Sequence, residues 1–143
     1  MTQWGIMAVM KRRNTWQQTA VRDALEHEAG FLSAQALHQR LLEAGSTVSV
    51  ATVYRVLSRM ADDGLADVHI DPDGQQLFRA CGDEPHHHHL ICRRCGAAVE
   101  IVAPPVERWA SGVAREHGYT EVTHVIDVIG LCPRCTRELA GKR

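Results

Sequence analysis

Two Cys-x-x-Cys pairs, Cys92-Arg93-Arg94-Cys95 and Cys132-Pro133-Arg134-Cys135, constrain this chain more than any other feature. Two such knuckles let four thiolates converge tetrahedrally on one zinc ion. Cys92 and Cys132 stand 40 residues apart, further than in an ordinary zinc ribbon, so the chain between them must fold back to close the site. Two disulfides or a redox pair are the alternatives. A closed four-sulfur site is structural: it clips the ends of a module and supplies folding free energy. Four thiolates around a divalent zinc leave a local charge of about −2, which Arg93, Arg94, Arg134 and Arg137 stand beside and offset. Those arginines are therefore poor candidates for contacts elsewhere.

With 143 residues, the chain has room for one domain or two small ones, and a large multidomain enzyme is excluded. The formal charge of −1 carries no whole-chain basic signature. Its distribution is uneven: residues 1–60 carry +3, residues 61–80 carry −4, and the remainder is balanced. The apolar stretch Trp4–Val9, followed by Lys11-Arg12-Arg13, is too short for a secretory leader. No apolar run approaches the roughly 20 residues of a membrane span. A reducing, cytoplasmic setting without a membrane partner is the expectation, and thiols there stay free or hold metal.

The first half reads as three short helices. Thr15 to Glu28 places Trp16, Ala20, Val21, Ala24 and Leu25 near helical spacing, with Gly30 after it. Ser33 caps a second helix with Ala34, Leu37, Leu41 and Leu42 on one face and Gly45 beyond. Ser49 opens a third, with Val53, Val56, Leu57 and Met60 at i, i+3, i+4 and i+7 before Gly64. Leu65–Ile70, the turn Asp71-Pro72-Asp73-Gly74 and Gln75–Ala80 then read as a hairpin. Three helices and a hairpin make a winged helix-turn-helix, although small domains of this pattern also serve as protein-interaction modules.

The second half changes character after a polar segment, Cys81–His89. Ala97–Val102 reads as a strand. Pro104-Pro105 introduces a helix whose Val106, Trp109, Ala110 and Val113 share a face before Gly118, and the β-branched run Thr120–Leu131 reads as one long strand.

In an extended segment, His86 and His88 face one way while His87 and His89 face the other, so the tract His86-His87-His88-His89 can serve two metal sites. Cys81, the cysteine outside the two pairs, lies just upstream, and a thiolate beside imidazoles favours zinc over iron or manganese. His124, on the side of Val122, Ile126 and Val128, reads first as a core histidine. His27, His38, His69 and His117 read as solvated, and Glu100 and Glu107 as surface carboxylates. On the third helix Thr52, Arg55 and Arg59 lie off the apolar stripe, with Tyr54 at its edge. That is either a major-groove reading face or a solvated polar one.

Ser49 through Leu57, Gly64-Leu65, His86 through Gly96 and the second Cys-x-x-Cys together resemble the ferric uptake regulator family, over a stretch from about Arg13 to Cys135. The resemblance implies a dimeric, metal-responsive winged-helix transcription factor. In iron-type members a sensing site uses a His before the second helix and a Glu at the end of the wing. Here Phe31 and the Arg79-Ala80 region stand in those places, whereas Cys81 is present with Asp67 14 residues before it. That is the pattern of the zinc uptake regulator branch. It implies a hinge zinc site of Asp67, Cys81, His87 and His89, and a second regulatory zinc site of His86, His88, Glu107 and His124. The first helix departs from the family's T-x-Q-R element, reading Thr15-Trp16-Gln17-Gln18, and Lys11, Arg12, Arg13 and Arg22 are the substitutes for the missing arginine.

The expected architecture is α+β: an N-terminal winged helix-turn-helix at 1–80 with an arm at 1–12, a hinge and metal-binding linker at 81–90, and a small α/β dimerisation module at 91–143 holding Cys92, Cys95, Cys132 and Cys135 on a structural zinc. The expected function is zinc-responsive repression: a homodimer, carrying up to three zinc ions per chain, binds an AT-rich inverted-repeat operator in double-stranded DNA and controls zinc uptake genes. Arg13, Thr15, Arg22, Thr52, Tyr54, Arg55 and Arg59 are the expected DNA contacts. An iron, manganese or peroxide sensor on the same scaffold is the alternative. No small-molecule substrate is expected, and no H-E-x-x-H or comparable arrangement supports a zinc hydrolase.

Overall fold

Each of the three N-terminal helices starts on a hydroxyl. In the computed structural model, which describes residues 15–81 and 87–142, Thr15 Oγ1 accepts from Gln18 N–H at 3.2 Å to open α1 (Trp16–Glu26). Ser33 Oγ accepts from Ala36 N–H at 3.1 Å to open α2 (Ala34–Glu43), and Ser49 Oγ from Thr52 N–H at 3.2 Å to open α3 (Val50–Asp62). Each bond satisfies an amide that has no partner within its helix, which sets where the helix begins. The arm expected over 1–12, together with Arg13 and His86, lies outside the described residues.

The chain divides into two compact units. Residues 15–28 and 32–81 belong to the first, and residues 29–31 and 87–142 to the second. In the first, the periodic faces of the helices meet: Val21, Leu25, Leu37, Val53 and Leu57 are fully buried. Burying each such side chain contributes about 1.5–3 kcal/mol. Strands β1 (Ala66–Ile70) and β2 (Gln76–Ala80) form an antiparallel hairpin in the register Ala66↔Ala80 to Ile70↔Gln76. Its turn is shaped by Asp71 Oδ1, which accepts from the N–H groups of Asp73 and Gln75, both at 2.9 Å. Leu32 joins β2 through two bonds with Phe78 and brings Phe78 into the core. His69 is buried, with 9% exposure, and not solvated as its position on the hairpin suggested.

The second unit is a three-stranded sheet in the order β4-β3-β5, with β3 (His88–Cys92) central, β4 (Ala98–Ile101) antiparallel to it and β5 (Asp127–Gly130) parallel. Residues 88–90, expected in the hinge segment, thus open the central strand. Helix α4 (Pro104–Glu116) follows β4, and α5 (Pro133–Ala140) follows β5. The long strand expected over Thr120–Leu131 is a correction: only Asp127–Gly130 pairs, and the β-branched residues before it find no ladder partner. The isolated bridge Gly30↔Ala97 brings residues 29–31 into this unit. Helix α4 buries none of its residues completely within the unit. Trp109, Tyr119, Val122 and Val125 are all exposed. No helix among the described residues is long and apolar enough to cross a membrane.

Candidate metal centres and nucleic-acid face

The four paired cysteines arrive from two directions. Cys92 closes β3 and Cys95 sits in the turn before β4, where Gly96, at φ +78°, donates its N–H back to the Cys92 carbonyl at 2.9 Å. Cys132 is the N-cap of α5, its Sγ accepting from Cys135 N–H at 3.4 Å, and Cys135 is buried in the first turn. The four sulfurs all lie within 4.8 Å of one another, with Cys95 Sγ and Cys132 Sγ 3.8 Å apart. Thiolates about 2.3 Å from a tetrahedral zinc stand about 3.8 Å from one another, so this donor set fits zinc. No disulfide joins the five cysteines, and the 3.8 Å between Cys95 Sγ and Cys132 Sγ is the spacing of sulfurs around a metal and not of a disulfide.

Ionisation is uneven across the cluster. At Cys92 burial opposes ionisation but is outweighed by backbone hydrogen bonds from Cys132, Cys95 and Arg94, and its pKa falls to about 6. Cys132 is lowered, first by the Cys135 backbone N–H. Cys135 is pushed up to about 11 by burial and by the neighbouring Cys132 thiol. Arg94 is held more firmly protonated by Glu138 and then Cys135, and Arg134 by the charge on Cys95.

A second cluster lies in the same unit and contains no sulfur. His88 Nε2 is 2.5 Å from Glu107 Oε1, and His124 Nε2 is 2.8 Å from Glu107 Oε2. The three donor atoms fall within 4.8 Å of one another, and the two imidazole rings are 5.2 Å apart. β3 supplies His88, the first turn of α4 supplies Glu107, and the unpaired segment before β5 supplies His124. His124 is neither on a strand nor in the core, contrary to its first reading. Three of the four residues named for the second regulatory site are therefore together.

His89 points to the other side of β3. Its ring meets Phe31 edge-on with centroids 5.3 Å apart, lies 4.8 Å from the ring of His87, and places Nδ1 3.6 Å from Asp127 Oδ1. Asp127 was not anticipated, although its register position directly opposite His89 in the parallel β3–β5 pair explains the encounter. The other two hinge candidates belong to the first unit. Asp67 sits in β1 opposite Arg79, and Cys81 follows β2, its S–H donating to the Gly64 carbonyl at 3.2 Å.

In the first unit, Thr15, Arg22, Thr52, Arg55 and Arg59 line one groove of about 420 Å³ between α1 and α3. Arg55 Nη2 donates to Thr52 Oγ1 at 3.1 Å, and Ser49 Oγ donates to the same oxygen at 3.1 Å. Tyr54 faces elsewhere. Its hydroxyl donates to Gln76 Oε1 at 2.9 Å and its ring meets Phe78 edge-on. Gln17 and Gln18, the latter at the place of the missing arginine of the family's T-x-Q-R element, also line the groove, although they were not among the expected DNA contacts.

A winged-helix unit followed by a sheet unit carrying a four-cysteine cluster and a histidine–carboxylate cluster defines a class of metal-responsive DNA-binding regulators. The ferric uptake regulator family model matches residues 10–129, and the chain belongs to that family. It is 42% identical over 123 residues to the zinc uptake regulation protein of Mycobacterium tuberculosis, covering 86% of this chain and 94% of that one. Among solved structures, a zinc uptake regulator complexed with zinc and DNA aligns with a TM-score of 0.69 at 29% identity, covering 97% of this chain and 93% of the other. The ferric uptake regulator of Vibrio cholerae aligns with the same TM-score at 27% identity, covering 84% and 92%.

Proposed function

We propose that this chain is a zinc-responsive transcriptional repressor that binds an inverted-repeat operator as a homodimer and controls zinc uptake genes. The observation that carries this reading is the convergence of His88, Glu107 and His124 apart from the four cysteines. A closed thiolate site builds the fold, while a nitrogen–oxygen site on the same unit is suited to filling and emptying as metal varies. The relatives named as zinc uptake regulators support zinc as that metal.

The domains divide the work. Residues 1–80 read DNA, 81–90 act as hinge and 91–143 dimerise. Cys92, Cys95, Cys132 and Cys135 hold the structural zinc, and His86 completes the set of His88, Glu107 and His124. Asp67 and Cys81 from the first unit share a hinge zinc with His87 and His89 from the second. Bound zinc supplies cross-linking between chain segments and no bond-breaking chemistry. By committing donors from both units to one ion, the hinge residues restrict the first unit to the arrangement in which both copies of α3 enter successive major grooves. The exposed apolar residues Trp109, Val113, Tyr119 and Val122 suit contact with a second copy of the chain.

Arg22, Arg55 and Arg59 provide the phosphate and guanine contacts, with Thr15, Thr52 and Arg13 as further contacts. Tyr54, half exposed outside the groove between α1 and α3, adds contact with a thymine methyl or a phosphate. A gel shift on DNA upstream of this chain's own gene and of neighbouring uptake genes, run with zinc, manganese and iron(II) in turn, tests the reading. Retardation specific to zinc supports it, and equal retardation with manganese or iron points to the other metal branches.

A further inference from the structure

The charge around the four-cysteine cluster is organised by a residue that is not a ligand. Glu138 lies on α5 one turn beyond Cys135 and reaches both knuckles. Its Oε2 is 2.5 Å from Arg94 Nη1, and its Oε1 is 3.8 Å from Arg134 Nε. Arg94 stands between Cys92 and Cys95, and Arg134 between Cys132 and Cys135. One carboxylate therefore joins the variable positions of two Cys-x-x-Cys pairs that are far apart in sequence.

We propose that Glu138 is a positioning residue for the structural metal site, holding Arg94 and Arg134 over the thiolates so that zinc is retained. Each arginine stands between the two cysteines of its own knuckle, and the four sulfurs of the two knuckles lie within 4.8 Å of one another, so both arginines flank one cluster of negative charge. An isolated ion pair with a carboxylate 48% exposed would contribute little. Here one carboxylate hydrogen-bonds Arg94 and lies within ion-pair distance of Arg134, and the two guanidinium groups oppose the excess negative charge that four thiolates leave on a zinc complex. N–H···S bonds and nearby positive charge stabilise the ligated sulfurs and slow their replacement by a competing ligand. Loss of groups that hold metal ligands from outside costs about 10–100-fold in metal affinity.

The inference rests on the four cysteines holding zinc, and the test separates the two claims. Zinc-loaded full-length protein is mixed with excess 4-(2-pyridylazo)resorcinol, and release is followed by absorbance. The regulatory zinc leaves first and the four-cysteine zinc forms the slow phase. Glu138→Gln is expected to speed the slow phase by about 10–100-fold and to give no further acceleration in an Arg94→Met/Arg134→Met background. An unchanged slow phase in Glu138→Gln overturns the inference. So does an equal acceleration in the arginine-free background, because Glu138 would then act through α5 alone. If Glu138→Gln does not fold, the single variants Arg94→Met and Arg134→Met carry the test, and release at the parent rate in both overturns it. Absence of any slow phase in the parent protein overturns the four-cysteine assignment itself.

Discussion

His124 meets Glu107 across a 2.8 Å contact between Nε2 and Oε2, and the other oxygen of the same carboxylate takes up His88. One side chain thus gathers two imidazoles from separate parts of the second unit. Glu107→Ala removes both the carboxylate proposed as a zinc ligand and the group that contacts the two histidines. It is expected to lower the zinc retained per chain at moderate free metal by one ion while leaving the four-cysteine zinc in place. Elemental analysis after equilibration with a zinc buffer reads this directly, and unchanged stoichiometry would remove Glu107 from the ligand set.

Gly96 is fixed by backbone geometry. Its φ is +78°, and a Cβ built on it would lie 2.3 Å from the Phe31 carbonyl oxygen. Its own carbonyl accepts the Phe31 N–H at 2.7 Å. Gly96→Ala must therefore strain the turn that presents Cys95 or displace residues 29–31. The expected loss is at least about 1–3 kcal/mol of stability. Denaturant unfolding of the zinc-loaded protein checks it, and a variant as stable as the parent would show that the turn tolerates a side chain.

Metal removal is expected to act on the two units differently. The first unit closes its core on Val21, Leu25, Leu37, Val53, Leu57 and Phe78 without any ligand, whereas the second gathers four cysteine sulfurs that all ionise together only when a cation joins them. Cys135→Ser should abolish amide protection in β3–β5 and preserve it in α1–α3. Hydrogen exchange distinguishes the outcomes, and uniform loss throughout would mean that the units unfold as one.

Arg55 is held by Thr52 at the groove between α1 and α3. Arg55→Ala is expected to weaken operator binding by about 1–3 kcal/mol. If the lost contact is to a base, the loss should be concentrated at one position of each half-site. A uniform loss with a smaller salt slope would reassign Arg55 to phosphate.

Much of the first unit was legible because local chemistry and packing agree there. Ser33 and Ser49 mark helix starts, the stripe Val53, Val56, Leu57 and Met60 is the buried face of α3, and Asp71-Pro72-Asp73-Gly74 closes the hairpin. The second unit was less legible because its strands depend on partners far along the chain. His88 and His89 look like linker residues until β4 and β5 flank them. Val122 and Val125 carry strand propensity but have no neighbour to pair with, and propensity alone does not make a strand. Helix α5 was overlooked although Pro133 at its first position was a readable start. At the candidate sites, residue type and spacing marked His88, Glu107 and His124, while Glu138 and Asp127 became visible only through the contacts that folding creates.

The central claim is that zinc binding and DNA binding are coupled through Cys81. Operator affinity is measured by fluorescence anisotropy as free zinc is buffered upward, for the parent and for Cys81→Ala. The account predicts that zinc tightens the parent's binding by about a hundredfold, equivalent to about 2.7 kcal/mol of coupling, and that most of this gain is lost in Cys81→Ala. Zinc-independent binding by the parent, or an undiminished zinc response in Cys81→Ala, would contradict it.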